Sequence, residues 1–115
     1  MTVAELQAIC HTHAGVTESI KWDNHLCFCV GEKMFLVTAP DGFPVSAAFK
    51  VTDDEFDELR SQPGFAAHQY LGRFKWVYLD DVRRLDAAQW RHYIGESYQL
   101  IFAKLPAKLR RQLHA

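Results

Sequence analysis

Hydrophobic and polar positions along this chain follow two different periods, and the switches between them mark its elements. Val3, Leu6, Ile9 and Cys10 recur at three- and four-residue steps, the spacing of one helix face. Thr2 and Glu5 frame that helix as a capping box, in which hydroxyl and carboxylate each satisfy a backbone amide left free by the first turn, and Gly15 is expected to end it. The period then drops to two. Leu26, Phe28 and Val30 fall on one face of a predicted strand, with His25, Cys27 and Cys29 on the other, after a turn at Lys21-Trp22-Asp23-Asn24. Gly31-Glu32-Lys33 closes a hairpin onto a second strand, Met34 to Ala39, and Pro40-Asp41-Gly42 turns the chain into a third, Val45 to Val51.

A second capping box, Thr52 to Glu55, opens a short helix carrying Phe56 and Leu59 that Pro63-Gly64 stops. Phe65 to Gly72 carries few regular signals. Phe74 to Leu79 is predicted as a further strand with Phe74, Trp76 and Tyr78 on one face, expected to pack on the core, and Lys75, Val77 and Leu79 on the other. Asp86 to Gln89 caps a long helix on which Trp90, Ile94, Tyr98, Ile101, Phe102 and Leu105 share a face, until Pro106 kinks or ends it. Strands in a block, flanked by helices rather than alternating with them, predict an α+β fold. Its antiparallel sheet would carry the N- and C-terminal helices on one face.

Composition narrows the class. A chain of 115 residues, 49% hydrophobic and 23% charged, reads as one folded domain over 1–115 without repeats or linkers. No leader pattern and no apolar run of bilayer length stands out, so a cytoplasmic protein without a membrane role, and a monomer, is expected. Three cysteines, an odd number, fit reduced thiols. A net charge of −1 excludes attraction of the whole molecule to phosphate, so any nucleic-acid contact must come from a local patch.

Three constellations carry candidate chemistry. His25, Cys27 and Cys29 share a strand face, and Cys10, His11 and His13 sit together near the first helix; these are zinc-type ligands without a zinc-type spacing, so no metal or cofactor is expected. No nucleophile elbow, His-Glu-x-x-His pair or glycine-rich phosphate loop is present, and the cysteines read as packing residues rather than as a catalytic nucleophile. The third is Tyr70 to Leu79, where Arg73 and Lys75 are interleaved with Phe74, Trp76 and Tyr78, followed by Arg83 and Arg84. Cations neutralise phosphates and aromatics stack on bases, whereas strand alternation would bury the aromatics and leave the cations merely solvated.

Several stretches together resemble the MmcQ/YjbR family of small bacterial proteins. They are Glu5 to Cys10 followed by Gly15 to Glu18, Trp22-Asp23 ahead of Cys27 to Phe35, Phe49-Lys50, the Glu55 to Gly64 helix, Tyr70 to Arg73 with Trp76-Val77, Ser97-Tyr98, and Ala103 to Leu109. The resemblance implies a curved antiparallel sheet packed on helices, of the frataxin-like or secretion-chaperone-like kind. It also implies DNA binding, a label attached to such proteins at the level of the fold, which does not fix function. Many members have His before the tryptophan where this chain has Lys75. The expectation is a non-catalytic protein contacting DNA weakly and without sequence preference. Arg73, Lys75, Arg83, Arg84 and Lys50 would meet phosphates, and Trp76 would pack or stack. The alternative is a protein-interaction or small-ligand module using a groove near Trp22, Trp76 and Tyr70.

Overall fold

The computed structural model describes residues 1–114. Both capping boxes expected in the first half form: Thr2 and Thr52 each accept from the amide of the glutamate three residues on, and each glutamate reaches back, opening α1 (Val3–Cys10) and α2 (Asp53–Leu59). Asp86 and Gln89 do the same for α3 (Ala87–Phe102), and Pro106 ends that helix by standing at the N-cap of α4 (Ala107–Leu113).

Six strands make one antiparallel sheet: β1 (Val16–Lys21), β2 (His25–Val30), β3 (Lys33–Ala39), β4 (Ser46–Lys50), β5 (Phe65–Ala67) and β6 (Trp76–Leu79), in the order β1-β2-β3-β4-β6-β5. The expected three-strand meander is a four-strand one. Its first strand pairs Val16 with Val30 and Lys21 with His25, and lies exposed along almost its whole length, so its polar sequence shows no buried face from which a strand could be read. β5 adds three residues beside β6, too few for a period to appear.

One face of the sheet carries the main core. Leu26, Phe28, Val30, Leu36, Phe49, Val77 and Leu79 meet Leu6 and Cys10 of α1 and Trp90, Ile94, Tyr98 and Ile101 of α3. Polar groups inside it are matched: the Trp90 indole donates to Val82 O at 2.9 Å, and Tyr98 Oη donates to Ala14 O at 2.6 Å. Buried Ser97 bridges helix and sheet, donating to Phe35 O at 2.6 Å and accepting from the Lys50 amide at 3.0 Å. The expected α+β architecture, with helices on one face, is therefore the observed one. Among the described residues, no helix is long and apolar enough to cross a membrane.

The strand expected over 74–79 needs correction. Gly72 to Phe74 forms a 3₁₀ turn and Lys75 adopts a left-handed backbone with φ of 66°, so β6 begins only at Trp76 and Phe74 falls outside it. Trp76 and Tyr78 do share a face, but it is the one turned away from α1 and α3; Val77 and Leu79 supply the main core instead.

Candidate functional site

The face of the sheet opposite the helices has a smaller apolar layer of its own. Cys27, Cys29, Val37, Ala48 and Trp76 are buried together there, with Met34 and Leu71 packed against them. They are covered by the chain between β5 and β6, which leaves β5 at Ala67, folds over the sheet and returns through the 3₁₀ turn. His68 organises this cover: its Nδ1 accepts from the amides of Tyr70 and Leu71, both at 3.1 Å. Accepting two donors requires an unprotonated nitrogen, and partial burial lowers the His68 pKa in the same sense.

Between this cover and the β1–β2 turn lies a groove of about 680 Å³, lined by Trp22, His25, Met34, Val37, Ala67, His68, Gln69, Tyr70, Leu71 and Tyr78. That volume is within the range of small-molecule sites, and an apolar lining with a few polar groups is their usual chemistry. Its rim holds large aromatics open to solvent, Trp22 63% and Tyr70 74% exposed. Trp22 and Asp23 both take left-handed backbones, φ 51° and 69°, a conformation rare for tryptophan. The cost is accepted where it stands an indole at the groove mouth, edge-on to His25 at 5.9 Å. His25 lines the groove, and its Nδ1 is sealed from solvent without a hydrogen-bond partner.

The thiols nearby are not poised for nucleophilic attack. Burial raises the pKa of Cys27 and of Cys29, and pushes Cys10, on the other face, up to about 12, so all three stay protonated at neutral pH. They pack, as the sequence suggested.

The basic residues singled out in the sequence do not form one free surface: Lys50 lies near Lys75, while Arg83 and Arg84 are drawn to neighbouring aspartates. Arg83 is held by Asp81, its Nε and Nη2 at 3.0 and 2.8 Å from the two carboxylate oxygens, and these bonds draw the Asp81 pKa down to about 2. Arg84 donates to Asp80 at 2.7 Å, its side chain laid across Gly64, where a Cβ would come within 2.2 Å of Nε. Lys50 is 8% exposed, with its ammonium donating to Phe74 O, and burial followed by nearby Lys104 lowers its pKa. Trp76 is 4% exposed, so of the two roles expected for it the indole takes packing, and its buried ring offers no face to a base. Arg73 lies over the Phe74 ring at 4.8 Å and Lys75 over Phe56 at 5.0 Å; neither forms an ion pair among the described residues. Arg73 and Lys75 precede β6 while Arg83 and Arg84 follow it, so the two pairs flank opposite ends of that strand.

Of Trp22, Trp76 and Tyr70, around which the sequence suggested a groove, Trp22 and Tyr70 line it and Trp76 is buried in the apolar layer of that face. Met34, Val37, Ala67, His68 and Leu71 were not legible as groove residues, since they come from two stretches about thirty residues apart, 34–37 and 67–71, and only strand order brings them together. Of the His25, Cys27 and Cys29 face, weighed in the sequence as metal-type ligands, only His25 lines the groove, and the two cysteines are buried beneath it.

Comparison with known proteins places this architecture. The sequence model described as YjbR matches residues 12–100. The chain belongs to the YjbR family. The crystal structure of Deinococcus radiodurans protein DR2400, with a domain described as DUF419, is similar to it with a TM-score of 0.87 and 25% identity, over 98% of this chain and 88% of that one. A Pseudomonas syringae protein of known structure shares the fold at a TM-score of 0.70 and 16% identity, over 87% of this chain and 98% of that one. No curated protein matches the sequence. The YjbR sheet thus has one face filled by helices and one left to the groove.

Proposed function

We propose that this YjbR-family protein is a binding module rather than a catalyst, and that its groove takes a small aromatic molecule bearing one hydrogen-bonding group. The observation that carries this reading is the apolar groove itself. Trp22, Tyr70 and Tyr78 offer ring faces at its mouth, and His25 brings an unpartnered nitrogen to its lining. An aromatic body would replace water against Met34, Val37 and Leu71, where each buried 100 Å² of apolar surface contributes about 2.5 kcal/mol before the costs of association. A hydrogen bond to His25 would fix its orientation.

Weak, salt-sensitive DNA contact is the competing reading. It is supported by the label that the family resemblance carries and by the lack of a carboxylate partner on Arg73 and Lys75 among the described residues. Arg83 and Arg84 would first have to leave Asp81 and Asp80. Two free cations on a chain of net charge −1 predict a shallow salt dependence, with a slope of about −2 in log affinity against log salt.

One set of titrations separates the two. The aromatic fluorophore 1-anilinonaphthalene-8-sulfonate should bind saturably, and Tyr70→Ala and Trp22→Gly should each weaken that binding. A duplex DNA titration at low salt on the same samples should give no anisotropy change at tens of micromolar. DNA binding that is lost in an Arg73→Glu, Lys75→Glu double variant, together with no fluorophore binding, would reverse the assignment.

A further inference from the structure

Away from the groove, on the side of the molecule where α2 meets α3, three side chains of metal-binding type converge: Glu55 from the first turn of α2, and His92 and Glu96 from one face of α3. Their donor atoms all lie within 4.8 Å of one another, and among the described residues no other group of three does so. His92 Nε2 is 3.2 Å from Glu55 Oε2 and 3.3 Å from Glu96 Oε2. Ligands at the corners of a tetrahedron with metal bonds of about 2.0 Å are about 3.3 Å apart, so both measured edges already have the spacing of a tetrahedral zinc site.

Two further features belong to a site rather than to a chance cluster of acids. Glu96 Oε2 is sealed from solvent and, apart from His92 Nε2 at 3.3 Å, has no hydrogen-bonding neighbour. Glu55, in turn, is aimed from behind: Thr52 Oγ1 and the Thr52 amide donate to its Oε1 at 2.9 and 3.3 Å, leaving Oε2 for the cluster. The α2 capping box therefore acts as the outer shell that orients a ligand carboxylate. Two carboxylates brought this close repel unless a shared proton or a cation lies between them, and a divalent cation can take the proton's place. The side chain of His92 is 60% exposed, so the fourth coordination position opens to solvent.

We propose that Glu55, His92 and Glu96 bind one first-row divalent cation, Zn²⁺ by preference, with water as the fourth ligand. One imidazole nitrogen and two carboxylate oxygens suit zinc, manganese and ferrous iron more than calcium, which takes six to eight oxygens. The ligands come from two helices 37 residues apart in the chain, and they are not the cysteines and histidines whose clustering first suggested metal. His11 is paired with Glu18, and His13 is stacked on Tyr98 at 4.6 Å.

The test uses the full chain stripped with chelator. Zn²⁺ titrated calorimetrically should bind at one equivalent, and Co²⁺ should give the visible bands of a four-coordinate nitrogen and oxygen site without thiolate charge transfer. His92→Ala and Glu96→Gln should each weaken binding by about tenfold or more, since losing a ligand costs at least as much as losing an outer-shell partner. Circular dichroism in chelator checks that both variants fold. Whether or not they do, Co²⁺ added to the wild-type chain should shift amide resonances most strongly in 52–56 and 91–97. No saturable Zn²⁺ binding at about 100 μM, affinity unchanged in both folded variants, thiolate bands with Co²⁺, or shifts centred elsewhere would each overturn the proposal.

Discussion

At the scale of single residues, the molecule depends on a few polar atoms placed where nothing else can serve. Ser97 is one: Ser97→Ala leaves the Lys50 amide and the Phe35 carbonyl without their buried partner and should lower the unfolding free energy by about 1–3 kcal/mol in a denaturant titration. His68 is another. Its lowered pKa means that the unfolded chain takes up the proton first, so its contribution is complete above about pH 6.5 and is lost as pH falls through the folded value. Groove binding should therefore weaken as pH falls below the ordinary histidine range and the bonds to Tyr70 and Leu71 break, and His68→Asn, which retains an acceptor, should flatten that dependence. Trp22→Gly should shift the unfolding free energy by less than about 1 kcal/mol, because relief of its left-handed backbone offsets the lost contact with His25, while groove binding falls. A large loss of stability in that variant would mean that Trp22 packs rather than binds.

At the scale of elements, what the sequence made legible follows from how each element is stabilised. The three capping boxes are local chemistry spanning four residues, so Thr2, Thr52 and Asp86 announced their helices, and each box formed. Replacing any of the three by alanine should cost about 1 kcal/mol in thermal unfolding. Strands β2 to β4 were legible because apolar residues punctuated by glycine and proline turns leave few alternatives. β1 was not, since an exposed edge strand held by backbone pairing needs no apolar pattern. The start of β6 was misread for a different reason. A single left-handed residue, Lys75, breaks the extended run before Trp76, and lysine gives no warning of such a backbone as glycine would. Lys75→Gly should accordingly stabilise the fold, by up to about 1 kcal/mol.

At the scale of the whole molecule, the sheet separates two chemistries. Helices fill one face and give the chain its main core, while the other face keeps a thin apolar layer, a cover anchored by His68 and a groove between cover and turn. The sequence pointed to cations along Tyr70 to Leu79 and at Arg83 and Arg84 just beyond, because charge and aromatic content are visible in one dimension. The structure divides those cations between the two ends of β6 and joins Arg83 and Arg84 to their neighbouring aspartates. The groove has no such signature, since its walls are assembled from distant segments by strand order. The most direct test of the binding reading is a backbone amide chemical-shift titration of the labelled chain with a set of small aromatic fragments. The account predicts saturable shifts confined to 22–25, 34–37, 67–71 and 78 for at least one fragment carrying a hydrogen-bonding group. No fragment shifting those residues at millimolar concentration, while duplex DNA at low salt moves the amides of Arg73 and Lys75, would contradict it.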